Sequence, residues 1–303
     1  MTRAIQIVEV APRDGLQNEK TQVSTADKIS LIERAIHAGV TRMEVTSFVN
    51  PARVPQMADA EAVMAAIVPR FSHLGLIGLA LNPRGAARAL AAGCTEINYV
   101  VVASDSFALR NQGRSSQDLI AATAEVAALC KAARVPWSVS IAASFGCPFE
   151  GEVDPDHVLA ITKTLLAEQP DEIAFADTIG CAVPRQVHDL IIRARKLAPT
   201  MKWRLHLHDT RNTAIANALA AIDAGVDVLD SSIGGTGGCP FAPGATGNVA
   251  TEDLTWTLGR SGYRTGLDLD GLIATAKWLS TVLGKQVAAA LTRAGPFPKP
   301  IEA

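Results

Sequence analysis

Two hydrophobic periods take turns along the whole chain. Short runs that are apolar at every second position, or throughout, read as strands: Ile5–Val10, Arg42–Ser47, Leu74–Leu81, Glu96–Ala103, Trp137–Ser144, Glu172–Asp177, Arg204–His208 and Val226–Ser231. Between them, apolar residues recur every three or four positions, as on one face of a helix. These segments are Thr25–Ala38, Ala58–Ile67, a helix opening at Asn82-Pro83 and closing at Gly93, Gln117–Ala133, Pro155–Glu168, Pro184–Leu197 and Thr213–Ala224. Ser24/Thr25 and Asp154 are suited to cap helix starts, and Ala38-Gly39, Ala92-Gly93 and Ala224-Gly225 read as helix ends before the next strand.

With an eighth helix near Thr251–Leu258, the pattern makes eight strand–helix units in about 250 residues, the size of a closed barrel. An open doubly wound sheet would want a glycine-rich phosphate turn after its first strand. The residues there are Ala11-Pro12-Arg13-Asp14-Gly15-Leu16, which form no such turn. The predicted fold is therefore an α/β (β/α)8 TIM barrel with extra C-terminal helices. Residues 1–303 are expected to form a single catalytic domain, with the barrel at about 4–262 and a helical extension at about 266–294. In that extension Asp268–Leu283 reads as a helix and Lys285–Arg293 as a weaker one, and the tail Gly295–Ala303 is expected to fray. No stretch rich in Gly, Ser or Pro divides the chain.

Composition narrows the class without naming a chemistry. The chain has 303 residues, 48% hydrophobic and 19% charged, ample for a large core. A net charge of −2 with no basic run gives no footing for nucleic acid or an anionic membrane. No signal peptide precedes the first strand, and no long uncharged apolar run suggests a membrane span. Five scattered cysteines (Cys94, Cys130, Cys147, Cys181 and Cys239) form no Cys-x-x-Cys pair, which points to free thiols in the cytoplasm.

The chemistry gathers at strand ends, where a barrel of this kind places its active site. In Arg204-Leu205-His206-Leu207-His208-Asp209-Thr210, alternation puts His206 and His208 on one face, about 7 Å apart along the strand. Other strand ends offer Arg13, Asp14 and Gln17; Glu44, Thr46 and Ser47; and Asp177 with Thr178. After the eighth strand come a loop with Gly237-Gly238-Cys239-Pro240 and then Gly247-Asn248. Two histidines, an aspartate and an amide oxygen suit an octahedral Mg²⁺ or Mn²⁺ better than a thiolate zinc. A divalent ion can acidify a hydroxyl, and a neighbouring arginine can hold the oxyanion left when a carbon–carbon bond breaks. That combination points to aldol- or Claisen-type chemistry.

These residues also carry a resemblance. Val8-Glu9-Val10-Ala11-Pro12-Arg13-Asp14-Gly15-Leu16-Gln17-Asn18-Glu19-Lys20 resembles the opening of the hydroxymethylglutaryl-CoA lyase family. So do Glu44-Val45-Thr46-Ser47-Phe48, Val54-Pro55-Gln56-Met57, Gly146-Cys147-Pro148, Asp177-Thr178-Ile179-Gly180 and His206-Leu207-His208-Asp209-Thr210. Gly237-Gly238-Cys239-Pro240-Phe241-Ala242 and the run from Thr246 to Leu254 complete the set. Arg-Asp-Gly with His-x-His would fit a wider superfamily of metal-dependent lyases and synthases, and the cysteine loop narrows it to the lyases.

The resemblance implies Asp14, His206, His208 and Asn248 as ligands of a divalent metal ion. It implies Arg13 at the thioester carbonyl, Glu44 orienting Arg13, and Cys239 on a loop over the site. Gln17, Asp177 and Thr178 become substrate or second-layer contacts, and Lys20 a contact to a CoA phosphate. The implied reaction is a retro-Claisen cleavage of an acyl-CoA to a keto acid and acetyl-CoA, with leucine degradation as one setting and terpenoid or itaconate-type degradation as others. The hydroxyl base is left open between His206 and Asp14. A homo-oligomer, dimer or higher, is expected, with no nucleic-acid or membrane partner.

One departure bears on the substrate. After Thr210 the chain has Arg211-Asn212-Thr213 where the better-known lyases carry Tyr-Gly-Gln, so a related substrate such as citramalyl-CoA is an alternative. A synthase condensing acetyl-CoA with a 2-oxo acid is a second alternative, although its usual Gly-Glu-Arg-Ala-Gly-Asn run is replaced by Ala242-Pro243-Gly244-Ala245-Thr246-Gly247-Asn248. A catalytically idle scaffold barrel is a third, but every expected ligand is present.

Overall fold

The computed structural model describes residues 2–238 and 247–297. Eight parallel strands close into a barrel. In chain order they are Gln6–Glu9, Arg42–Ser47, Gly75–Ala80, Glu96–Val102, Trp137–Ala142, Glu172–Asp177, Lys202–Leu207 and Val228–Ser231, here called the first to eighth strands. Each pairs with its neighbours in sequence, and the eighth returns to the first with Gln6 opposite Val228 and Glu9 opposite Ser231. The predicted (β/α)8 barrel is the fold observed.

Helices follow from the signals in the sequence. The helix Thr25–His37 starts with the Ser24 hydroxyl accepting from the Asp27 amide, and the turn after it needs Gly39 at φ +92°. A side chain at Gly39 would also come within 2.8 Å of the Gly266 carbonyl. Beyond the barrel, Leu269–Leu283 packs on that first helix, with the Asp268 amide bonded to the Ala38 carbonyl at 2.9 Å.

Some local structure departs from the periodic reading. The expected helix Gln117–Ala133 is two, Ser116–Ala121 and Thr123–Ala133, and the Thr123 hydroxyl bonds back to the Leu119 carbonyl at the break. Asp105–Gln112 is a helix capped by Ser104, hidden in the sequence by its mixed polarity. A small hairpin pairs Gly146–Cys147 with Gly151–Glu152, and the weak C-terminal helix is only Leu291–Ala294.

The barrel interior has two characters. Val8, Val10, Ile77 and Val228 form a small apolar cluster of their own. Elsewhere the interior is ionic: Arg42, Glu96, Glu172, Arg204 and Asp230 form a chain across the strands. Arg42 holds both carboxylates, Glu96 at 2.9 and 2.5 Å and Glu172 at 2.9 and 2.8 Å. Arg204, fully buried, lies 3.2 Å from Glu172 and 3.6 Å from Asp230. Such charges need one another, because an unpaired ion in this interior would be strongly destabilising.

Candidate active site

Immediately after the first strand, Ala11–Gly15 winds as a single π-helical turn, closed by the Gly15 amide on the Val10 carbonyl. The turn sets Arg13 and Asp14 side by side at the mouth of the barrel. Gly15 is required for space: a Cβ there would lie 2.4 Å from the Thr236 hydroxyl and 2.8 Å from that of Ser232. Arg13 donates to Asp14 at 2.5 Å, and its Nε donates to Glu44 at 2.6 Å.

The seventh strand and the residue that follows it present His206 and His208 from the same face, as alternation requires, and Asp14 faces both. Asp14 Oδ2 lies 3.9 Å from His206 Nε2 and 3.7 Å from His208 Nε2. One ligand atom from each of the three residues falls within 4.8 Å of the others, close enough to share one metal ion. Asn248 donates its amide nitrogen to Asp14 at 2.7 Å and to the Thr236 carbonyl at 3.0 Å.

The electrostatics suit a cation at this point. Burial opposes charge on Asp14, but Arg13, both histidines and the Asn248 amide outweigh it and hold the carboxyl well below its usual range. Burial, then the neighbouring His206, pushes His208 down to about 4, leaving a neutral imidazole with a lone pair to give. Burial also opposes charge on His206, yet its bond to Asp230 and the nearby Asp14 raise its pKa overall. Its Nδ1 donates to Asp230 at 3.1 Å, which turns Nε2 toward Asp14. Asn248 Oδ1 and His208 Nδ1 are buried with no partner. An acceptor left unmatched beside a carboxylate and two imidazoles fits a site built for a metal ion.

A cavity of about 300 Å³ opens onto this group. Arg13, Asp14, Gln17, Glu44, His206, His208 and Thr178 all line it. Gln17 accepts from the Ser47 hydroxyl at 3.2 Å, and the Thr178 hydroxyl accepts from the Ala143 amide at 2.9 Å. Asp177 is not on the cavity wall. Ala176 and Thr178 face the cavity, so Asp177 between them points away, and its carboxylate takes the Cys181 and Ala182 amides. Lys20 is exposed on a neighbouring cleft lined by Gly235–Gly238, apart from the metal-binding group. Cys239 lies outside the described residues.

The sequence reading missed Asn98, Ser140 and Asp230, which line the cavity, and Ser138 and Arg204, which stand behind them. The signal for them was polar residues at alternate positions inside otherwise apolar strands, as in Glu96-x-Asn98 and Ser138-x-Ser140. Arg211, which opens the run that bears on the substrate, stands off the cavity wall. It reaches across to the Ile179 and Gly180 carbonyls at 3.1 and 2.8 Å, and neither it nor Asn212 lines the cavity.

Residues 4–279 match the HMGL-like family model. The chain belongs to the HMGL-like family. It is 41% identical over 302 residues to an (R)-citramalyl-CoA lyase of Chloroflexus aurantiacus, covering 97% of this chain and 95% of that one. It is 37% identical to the mitochondrial hydroxymethylglutaryl-CoA lyase of Mus musculus, over 97% of this chain and 90% of that one. The fold superposes on an HMG-CoA lyase of Acinetobacter baumannii, solved with coenzyme A and 3-methylmalate, with a TM-score of 0.93 at 36% identity. That match covers 99% of this chain and 98% of the other. With this family goes the reaction class: the chain is a carbon–carbon lyase. Among the described residues, no helix is long and apolar enough to cross a membrane.

Proposed function

We propose that the chain cleaves the C2–C3 bond of 3-hydroxy-3-methylglutaryl-CoA, giving acetoacetate and acetyl-CoA. What carries the reading is one convergence: Asp14, His206 and His208 meet beside Arg13 on a single cavity, with the Asn248 acceptor unmatched next to them. These four residues would hold Mg²⁺ or Mn²⁺, which when bound supplies charge to acidify the 3-hydroxyl and orient the acyl group.

The chain's own groups do the rest. His206 or Asp14 receives the hydroxyl proton. As the C2–C3 bond breaks, its electron pair moves onto C2, and the negative charge spreads to the thioester oxygen. The Arg13 guanidinium, gripped by Glu44, presents fixed donors to that oxygen. Protonation at C2 then releases acetyl-CoA. Gln17 and Thr178 line the acyl space, and Lys20 meets a CoA phosphate from its neighbouring cleft. Cys239, between two glycines and a proline, is the proton carrier or loop closure at the enolate. A cytoplasmic, homo-oligomeric enzyme completes the reading, consistent with the unpaired thiols of Cys94, Cys130, Cys147 and Cys181.

Citramalyl-CoA is the second substrate reading, favoured by the Chloroflexus relative at 41% identity. The test is acetyl-CoA release from a panel of 3-hydroxyacyl-CoA thioesters, after chelation and then with Mg²⁺ or Mn²⁺ restored. Activity is expected to vanish and return, and to be highest on the hydroxymethylglutaryl thioester. Full activity in metal-free protein sinks the metal site, and preference for the citramalyl thioester selects the second reading.

A further inference from the structure

We propose that Asn98 is a positioning residue for this reaction: it fixes the carboxylate plane of Glu44 and, through Glu44, the aim of the Arg13 guanidinium. The inference rests on the lyase reading, because it assigns Arg13 a task at the thioester oxygen.

Glu44 is on the second strand and Asn98 on the fourth, so the contact crosses the barrel interior over the third strand. Both are buried, at 1% and 2% exposure, so water is not available to complete either side chain. One Glu44 oxygen is taken by Arg13, and the other accepts from Asn98 Nδ2 at 2.5 Å. The amide is held in turn. Its Oδ1 accepts from the hydroxyls of Ser140 at 3.0 Å and Ser138 at 3.3 Å, and Arg204 Nη2 stands 3.5 and 3.4 Å behind them. Turning the amide over would set its oxygen against a carboxylate oxygen, so the chemistry of the neighbours admits one orientation.

The need for such a brace follows from torsions. The terminal carboxylate torsion of a glutamate is broad and weakly restrained on its own. Left with Arg13 alone, Glu44 would swing with it, and Arg13 would turn toward its other partner, Asp14. Asn98 removes that freedom by fixing the far oxygen. No hydrogen bond joins it to the proposed metal ligands or to Arg13; it shares the cavity wall with them, and its link to the reacting oxygen is the bond to Glu44. A small misplacement of a charge-stabilising donor costs up to roughly a hundredfold in rate.

The experiment has three arms. Acetyl-CoA release by the wild-type protein tests the lyase reading by itself. Asn98→Leu is then expected to lower kcat by about ten- to a hundredfold with KM changed less than about threefold. In a Glu44→Gln background, where the brace has nothing to hold, Asn98→Leu should add less than about a twofold loss. The third arm needs no turnover: the Arg13 Nε–H nuclear magnetic resonance signal of metal-free protein should move in Asn98→Leu as it does in Glu44→Gln. Should Asn98→Leu fail to fold, Asn98→Ala removes the amide donor without setting an apolar branch against Ser138 and Ser140 and is read the same way. An unmoved Arg13 signal, or losses that multiply in the double variant, overturns the proposal even if the lyase reading stands.

Discussion

The two ends of the barrel interior hold similar residues to opposite purposes. At the end where the strands begin, Arg42 is clasped by Glu96 and Glu172 through four bonds of 2.5–2.9 Å. At the end where they finish, Asp14, His206, His208 and Asn248 crowd together at contact distances yet leave Asn248 Oδ1 and His208 Nδ1 unmatched. The first arrangement leaves no buried polar atom of Arg42, Glu96 or Glu172 unmatched and holds the wall together. The second keeps a buried acceptor, Asn248 Oδ1, beside a carboxylate and two imidazoles, an arrangement suited to a cation. Buried ionic groups alone would not have told the two apart; the state of their partners does.

The sharpest way to break the comparison is to disturb each end in turn. Asp14→Asn removes the anion at the mouth, and turnover is expected to fall at least about a thousandfold, or ~4 kcal/mol of barrel-mouth chemistry. Calorimetry should find the melting temperature little changed, since the mouth does not hold the wall. A large loss of stability would erase the distinction. Arg42→Met does the reverse. It strands the Glu96 carboxylate and leaves Glu172 to Arg204 alone, and is expected to cost about 3–5 kcal/mol in denaturant unfolding, with kcat of the folded fraction nearly intact.

A smaller effect concerns pH. Glu252 is buried under the Gly234 amide, and desolvation pushes its pKa up to about 8 from 4.5. Between those values the folded chain keeps a proton that the unfolded chain releases, so this group makes stability fall as pH rises through that window. Glu252→Gln should flatten that decline by up to roughly 4 kcal/mol, read from urea midpoints at pH 5 and pH 8. An unchanged slope would remove Glu252 from the account. Glu9, pushed up to about 7 by burial while holding the Ile233 and Ala11 amides, contributes in the same direction and should survive as a residual slope.

Much of this was legible in the sequence because period and punctuation survive folding. Alternation alone put His206 and His208 on one face, and strand ends collected Arg13, Asp14 and Glu44 before any contact was known. Periodicity was silent where a contact depends on more than one element. Asn98 reads as a polar interruption of a strand, and its value appears only when Glu44 arrives from two strands away. Asp177, expected as a substrate or second-layer contact, stands off the cavity wall for a simpler reason. Its place in a strand-end motif suggested the cavity, while its parity relative to Thr178 turned it to the loop amides. Parity could have been counted from the sequence; the partner of Arg211 could not, because Ile179 and Gly180 meet it only through folding.

The seam between the first and second strands has a mechanical consequence. The first and second strands are laced at a single register position, Glu9 with Met43, whereas the fourth and fifth share six. Arg13 and Glu44 cross that same seam a turn above it, like a clasp at the top of a loosely stitched edge. Whatever force the seam feels as the barrel breathes is borne by the pair that would also face the reacting oxygen. Opening the wall and losing the aim of the guanidinium are then one event, so the rigidity of the catalytic end is set by how tightly this cylinder is buttoned.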